Sequence, residues 1–120
     1  MTIQECYDAL GGDFKDVMGR LKKEDRVARF AVKFLGDGSY QLLMDSLKAK
    51  DYKEAFRAAH SMKGVCQNLG FSQLFVSSDA LTEELRGERY TDKVDGMFAK
   101  VTEDYDKTVA AIRQYQEENA

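Results

Sequence analysis

Apolar residues recur along this chain at intervals of three and four, the repeat of a helix face, and no stretch alternates β-branched and polar residues as a half-buried strand would. Thr2 with Glu5 three positions on has capping-box spacing ahead of Cys6, Tyr7 and Leu10, and Gly11-Gly12 ends that short helix. Asp13 caps a second short piece, residues 14 to about 21. From 24 to 35, Val27, Phe30, Ala31, Phe34 and Leu35 form a wide stripe for a core-facing helix. Gly36-Asp37-Gly38 stops it, and Ser39 can cap the next element, 40–49, where Leu43 and Leu47 are one turn apart.

Asp51 is a good N-cap for a helix running to about Leu69, with Glu54 completing a second capping box and Gly70 ending the run. The turn around Gly70, or Ser72, restarts a helix carrying Leu74, Ser78, Leu81 and Leu85, which closes near Gly87. Thr91 opens the longest element, in which Val94, Met97, Phe98, Val101, Tyr105, Val109 and Ile112 keep the helical period. The expected fold is all-α. A single domain would span residues 1–120, with short N-terminal helices over 1–21 and an antiparallel four-helix bundle over 24–120.

Composition reinforces helix: with no Pro in the chain, nothing fixes φ or removes a backbone donor. The net charge of −3 argues against nucleic acid or an anionic membrane as the main partner, since both need a basic face. Cys6 and Cys66 are far apart and lack metal-ligand spacing; Cys66 falls on an apolar helix face and reads as a small buried hydrophobe. Without a disulfide framework, a reducing cytoplasm fits best. Residues 1–10 carry Glu5 and Asp8 and no apolar run, unlike a signal peptide, and no stretch approaches the ~18 apolar residues of a membrane span. The expectation is a complete, free-standing cytoplasmic module, monomeric, with no resident cofactor or metal.

Candidate chemistry gathers at one place. The only histidine, His60, opens the run His60-Ser61-Met62-Lys63-Gly64 inside the 51–69 helix. On a helical wheel Phe56, Ala59, Met62, Cys66 and Leu69 form the core face. His60, Lys63, Gly64 and Gln67 cluster about 120° away, and Arg57, Ser61 and Asn68 complete the solvent side. His60 should therefore be exposed, with Lys63 and Gly64 on the turn that follows.

That grouping suits phosphoryl transfer. A neutral imidazole has a free lone pair near pH 7 and can attack phosphorus. Lys63 can neutralise the charge on the transferring oxygens, and Gly64 leaves room for the group and for a partner surface. A mid-helix Gly costs about 0.5–1 kcal/mol relative to Ala, which argues for a steric purpose.

These residues resemble the histidine-containing phosphotransfer (HPt) domain of bacterial multistep phosphorelays. The likeness rests on Ala58-Ala59 before the histidine, on His60-x-x-Lys63-Gly64, on Leu69-Gly70 and on Leu81 and Leu85 of the next helix. Met62 stands where Leu is commoner, and Val65-Cys66 replace residues that are often small. The resemblance implies that His60 accepts a phosphoryl group from the aspartyl phosphate of a response-regulator receiver domain, itself fed by a hybrid histidine kinase, and passes it to a second receiver. The receiver would bring the Mg²⁺, and this chain would be a phosphocarrier without kinase activity. The resemblance also implies a polar residue from the next helix orienting the imidazole, with Ser78 or Thr82 as candidates, and supporting places for Gln67 and Gly70. Docking is expected on exposed apolar residues, with Ile3, Tyr7, Leu10 and Val32 as candidates against a reading as plain packing. Three other readings compete. They are a receiver-docking module without phosphotransfer, a helical enzyme using His60 as general base, and a structural bundle in which His60 is incidental.

Overall fold

Side-chain caps open three of the seven α-helices in the computed structural model, which describes residues 1–120. The elements are α1 (Ile3–Leu10), α2 (Phe14–Leu21), α3 (Glu24–Lys33), α4 (Ser39–Lys48), α5 (Tyr52–Leu69), α6 (Ser72–Glu84) and α7 (Val94–Glu118), with 3₁₀ turns at Phe34–Gly36 and Leu85–Gly87 and no strand. Thr2 and Glu5 form the reciprocal capping box: the Glu5 amide donates to Thr2 Oγ1 at 3.0 Å and the Thr2 amide donates to Glu5 Oε1 at 2.8 Å. Asp13 accepts from the Asp16 amide at 3.0 Å.

Two boundaries and one capping box differ from the sequence reading. At Asp51 only half the box forms: its carboxylate accepts the Glu54 amide at 3.2 Å, while the Glu54 carboxylate turns outward to Arg57 at 3.0 Å. Ser39 is the first residue of α4 rather than its cap, and Asp37 accepts both its amide, at 2.9 Å, and its hydroxyl. Helix α7 begins at Val94, because the Thr91 hydroxyl is drawn to Glu84 at 2.7 Å and residues 91–93 form a turn.

Helix α5 packs against both α4 and α6, α6 packs on α7, and α1 lies along α7. All of them feed one apolar cluster, in which Cys6, Tyr7, Leu10, Val17 and Val27 from the N-terminal helices join Leu43, Met62, Cys66, Phe71, Leu74, Leu81, Leu85 and Ile112. Aromatic rings close α4 onto α7: Tyr40 stacks on Tyr105 at 4.1 Å and on Phe98 at 5.8 Å, and its hydroxyl pairs with Thr102. Ile3, Tyr7 and Leu10 are buried in this packing and cannot serve as a docking face, and Val32 is half-buried against the same core. Phe30 goes the other way. It belongs to the apolar stripe of α3 yet is 38% exposed, at the rim of that stripe.

The end of α5 is fixed from outside the helix. Gly70 takes the left-handed conformation (φ 69°), and its carbonyl accepts the Asp13 amide at 2.8 Å, while the Gln73 amide donates to Gly11 at 3.0 Å. Two turns, 10–13 and 69–73, are thereby stitched backbone to backbone. The Tyr7 hydroxyl donates to the Leu69 carbonyl at 2.7 Å, and Arg20 donates to the carbonyls of Gln67 and Asn68 at 2.9 Å. These bonds satisfy carbonyls that a helix end otherwise leaves free.

Candidate functional site

Helix α5 carries its site residues along one outward strip. The heptad-like positions Ala55, Ala58, Ala59, Met62, Cys66 and Leu69 are buried, which turns His60 into solvent near the middle of the helix. The Phe56 ring lies one turn before it, 6.0 Å between centroids and inclined at 45°. The Arg86 guanidinium, from the turn after α6, sits 5.2 Å over the other part of this arrangement, the Phe56 ring. Phe56, Arg57, His60, Ser61 and Arg86 together line a shallow concavity that opens to solvent.

Lys63 lies one turn after His60 and is ion-paired, Nζ to Asp79 Oδ1 at 2.9 Å. Arg86 is held likewise: its Nη2 and Nε donate to the two oxygens of Glu83 at 2.7 and 3.1 Å. That pair lowers the Glu83 carboxyl below the ordinary range, first through the Arg86 hydrogen bonds and then through the nearby charges of Arg86, Lys63 and His60. Lys63 and Arg86 are thus held by carboxylates from α6, and Arg57, one turn before His60, by Glu54 of its own helix.

Gly64 has no neighbour where its side chain would be: a Cβ built there meets nothing within 4 Å. The absent side chain therefore serves no internal packing. Gln67 is exposed one turn further on, and Gly70 closes the helix from within the stitched turns.

Ser78 and Thr82 do not orient the imidazole. Both are fully buried on α6, and their hydroxyls donate into their own helix, Ser78 to the Leu74 carbonyl at 2.7 Å and Thr82 to the Ser78 carbonyl at 2.6 Å. Missing from the sequence reading were Asp79, Glu83 and Arg86. Their i+4 and i+7 spacing on one face of the α6 region is visible in the sequence, but their pairing with the α5 strip is not.

A larger groove, about 550 Å³, lies on another side of α5 between Leu21, Phe30, Phe34, Val65 and Leu69. Its surface is mainly apolar, with Lys33, Asp37 and Asn68 also contributing. Cys6 and Cys66 are free and buried; burial pushes the Cys6 thiol up to about 11 and that of Cys66 higher still, so neither is a thiolate at neutral pH. No three His, Cys, Asp or Glu side chains are grouped to hold a metal, and no helix is long and apolar enough to cross a membrane.

The family model for the Hpt domain matches residues 37–114, from the start of α4 through most of α7 and across the whole His60 strip. The chain belongs to the Hpt domain family. No curated protein and no solved structure matches it. Hpt domains serve histidine phosphotransfer in phosphorelays, working with receiver domains and histidine kinases, and are phosphocarriers without catalytic activity of their own. Helices α1 to α3 precede the matched segment.

Proposed function

We propose that His60 is the phosphoacceptor of this Hpt domain, taking a phosphoryl group from the aspartyl phosphate of one receiver domain and giving it to another. The observation that carries the reading is that the chain's only histidine stands exposed on α5 beside an open glycine and a lysine. In the forward step an imidazole lone pair forms the N–P bond as the P–O bond to the aspartyl group breaks. The electron pair leaves on the receiver's carboxylate, and the ring's other proton goes to solvent. The reverse step regenerates an aspartyl phosphate.

The division of labour follows from what lies around His60. The receiver supplies the Mg²⁺ and most of the catalysis, as the family resemblance implies. This chain supplies a positioned nucleophile, the Lys63 cation and the clearance at Gly64. Gln67 extends the polar rim, and Gly70 fixes the end of the helix that carries the site. Helices α4 to α7 act as the antiparallel four-helix bundle within one domain spanning 1–120. The protein works as a cytoplasmic monomer between a hybrid histidine kinase and its response regulators.

The test is transfer from a panel of phosphorylated receivers to the wild type and to His60→Gln. Acid-labile, alkali-stable phosphate on the wild type alone supports the assignment. Phosphate on the His60→Gln variant refutes it, and so does a wild type that accepts none from any receiver or from phosphoramidate.

A further inference from the structure

The Lys63 ammonium lies one turn after the nucleophile on α5, yet its partner is a carboxylate on another helix. Asp79 Oδ1 holds Nζ at 2.9 Å, with the lysine side chain 22% exposed. Glu83, one turn further along α6, is committed to Arg86 through two hydrogen bonds, which leaves Asp79 as the carboxylate that engages Lys63. Gly64 beside Lys63 keeps the space over the strip open, so the lysine has room to swing. A phosphoryl group on His60 brings close to two negative charges within reach of the same ammonium.

We propose that Asp79 is a positioning residue that competes with phosphohistidine for Lys63, so that the lysine passes from Asp79 to the phosphoryl oxygens on loading and returns on unloading. This rests on His60 being the phosphoacceptor. Atoms and charge balance simply: the N–P bond forms as the donor's bond to phosphorus breaks, and the lysine exchanges one anionic partner for another without losing a proton. Asp79 then weakens the hold on the phosphoryl group in two ways, by retaining part of the lysine's charge and by repelling the phosphoryl oxygens. The carboxylate keeps the group transferable and favours its onward passage.

The sign of the effect follows from the chemistry of loss. Hydrolysis of a phosphohistidine passes through a loose, metaphosphate-like state in which the oxygens carry less charge. A cation on those oxygens therefore stabilises the loaded ground state more than the transition state, and a competing carboxylate undoes that. Replacing Asp79 by Asn keeps the shape and removes the charge. With the site half open to water, the loaded form should last about three- to tenfold longer. Exposed ion pairs add little to folding, so the variant should remain native.

The experiment loads full-length wild type, Asp79→Asn, Asp79→Glu and Lys63→Ala with potassium phosphoramidate, and follows the phosphohistidine by ³¹P resonance and intact mass. The expected result is a longer lifetime for Asp79→Asn, a near wild-type lifetime for Asp79→Glu, and a shorter one for Lys63→Ala. In the Lys63→Ala background, Asp79→Asn should lose most of its effect. A loaded wild type with an unchanged or shortened lifetime in Asp79→Asn overturns the competition while leaving the phosphoacceptor intact. A full Asp79→Asn effect without Lys63 also overturns it, since the carboxylate would then act on its own. Failure of the wild type to load at all removes the phosphoacceptor assignment and this inference with it.

Discussion

Gly64 separates a steric role from a structural one, because the two predict opposite changes in stability. It lies inside α5 at an ordinary helical φ, and a Cβ there would touch nothing within 4 Å. Gly64→Ala therefore removes a flexible residue from the unfolded chain and adds no clash to the folded one. The expected gain is about 0.5–1 kcal/mol, the ordinary helix-interior difference between Ala and Gly. For a chain of this length that is a rise in melting temperature of roughly 2–5 °C. Function should move the other way. A side chain at this position stands one turn from His60, within about 5–6 Å of its Cβ, where a transferring group and a receiver surface must come close. The methyl of Ala intrudes little, but Gly64→Gln places an amide in that space. A displacement near 1 Å in such a complex is enough for about a hundredfold loss of rate. Urea or thermal unfolding by circular dichroism reads the first quantity, and single-turnover transfer from a phosphorylated receiver reads the second. If Gly64→Ala is destabilised, the glycine is there for packing. If Gly64→Gln transfers at the wild-type rate, no partner approaches this face and the steric argument fails.

Gly70 should behave in the opposite sense: with φ at 69° and a Cβ only 2.9 Å from the Asp13 carbonyl, Gly70→Ala should lose about 2–3 kcal/mol in urea unfolding. A neutral outcome there would mean that the two stitched turns can part without consequence. Ser78→Ala and Thr82→Val should leave transfer rates within about twofold, since both hydroxyls serve their own helix. A large drop in transfer with unchanged stability would return them to the site. Alkaline pH should destabilise the fold. Burial raises the Cys6 thiol from 9.0 to about 11 and moves Cys66 and the Tyr7 phenol in the same direction, so the folded state keeps protons that the unfolded state releases. Their contribution is complete below pH 9 and is lost as pH rises toward 11. Unfolding midpoints in urea that stay level from neutral pH to about 10.5 would contradict this, as would rapid thiol labelling of the native protein.

The parts of the site that were legible in the sequence are those that lie on one helix. Helical spacing alone relates His60, Lys63, Gly64 and Gln67, and the buried positions between them fix which way the strip faces. What crosses from α6 was not legible, because the register between two packed helices depends on how their side chains interlock. Asp79 and Arg86 reach the strip, whereas Ser78 and Thr82, on the same helix, turn into the core and bond to their own backbone. Similar reasoning explains Phe30: a stripe wider than the available core leaves one edge outside, and periodicity does not say which edge. Ser39 lost the capping place expected of it because the helix starts one residue earlier, after Gly38, and its hydroxyl donates to Asp37 instead of accepting an amide.

The stitched turns also bear on how this protein can be divided. The family match starts at residue 37, but the carbonyls at the end of α5 are satisfied by Tyr7, Asp13 and Arg20, and α1 covers the flank of α7. A fragment cut at the limits of the match would keep every residue of the His60 strip. It would also expose the apolar bed of Tyr7, Leu10 and Val17 and free the last turn of the helix that presents the strip. Evolutionary likeness and mechanical independence thus draw different borders here, and the phosphoacceptor's scaffold is anchored on the far side of one of them.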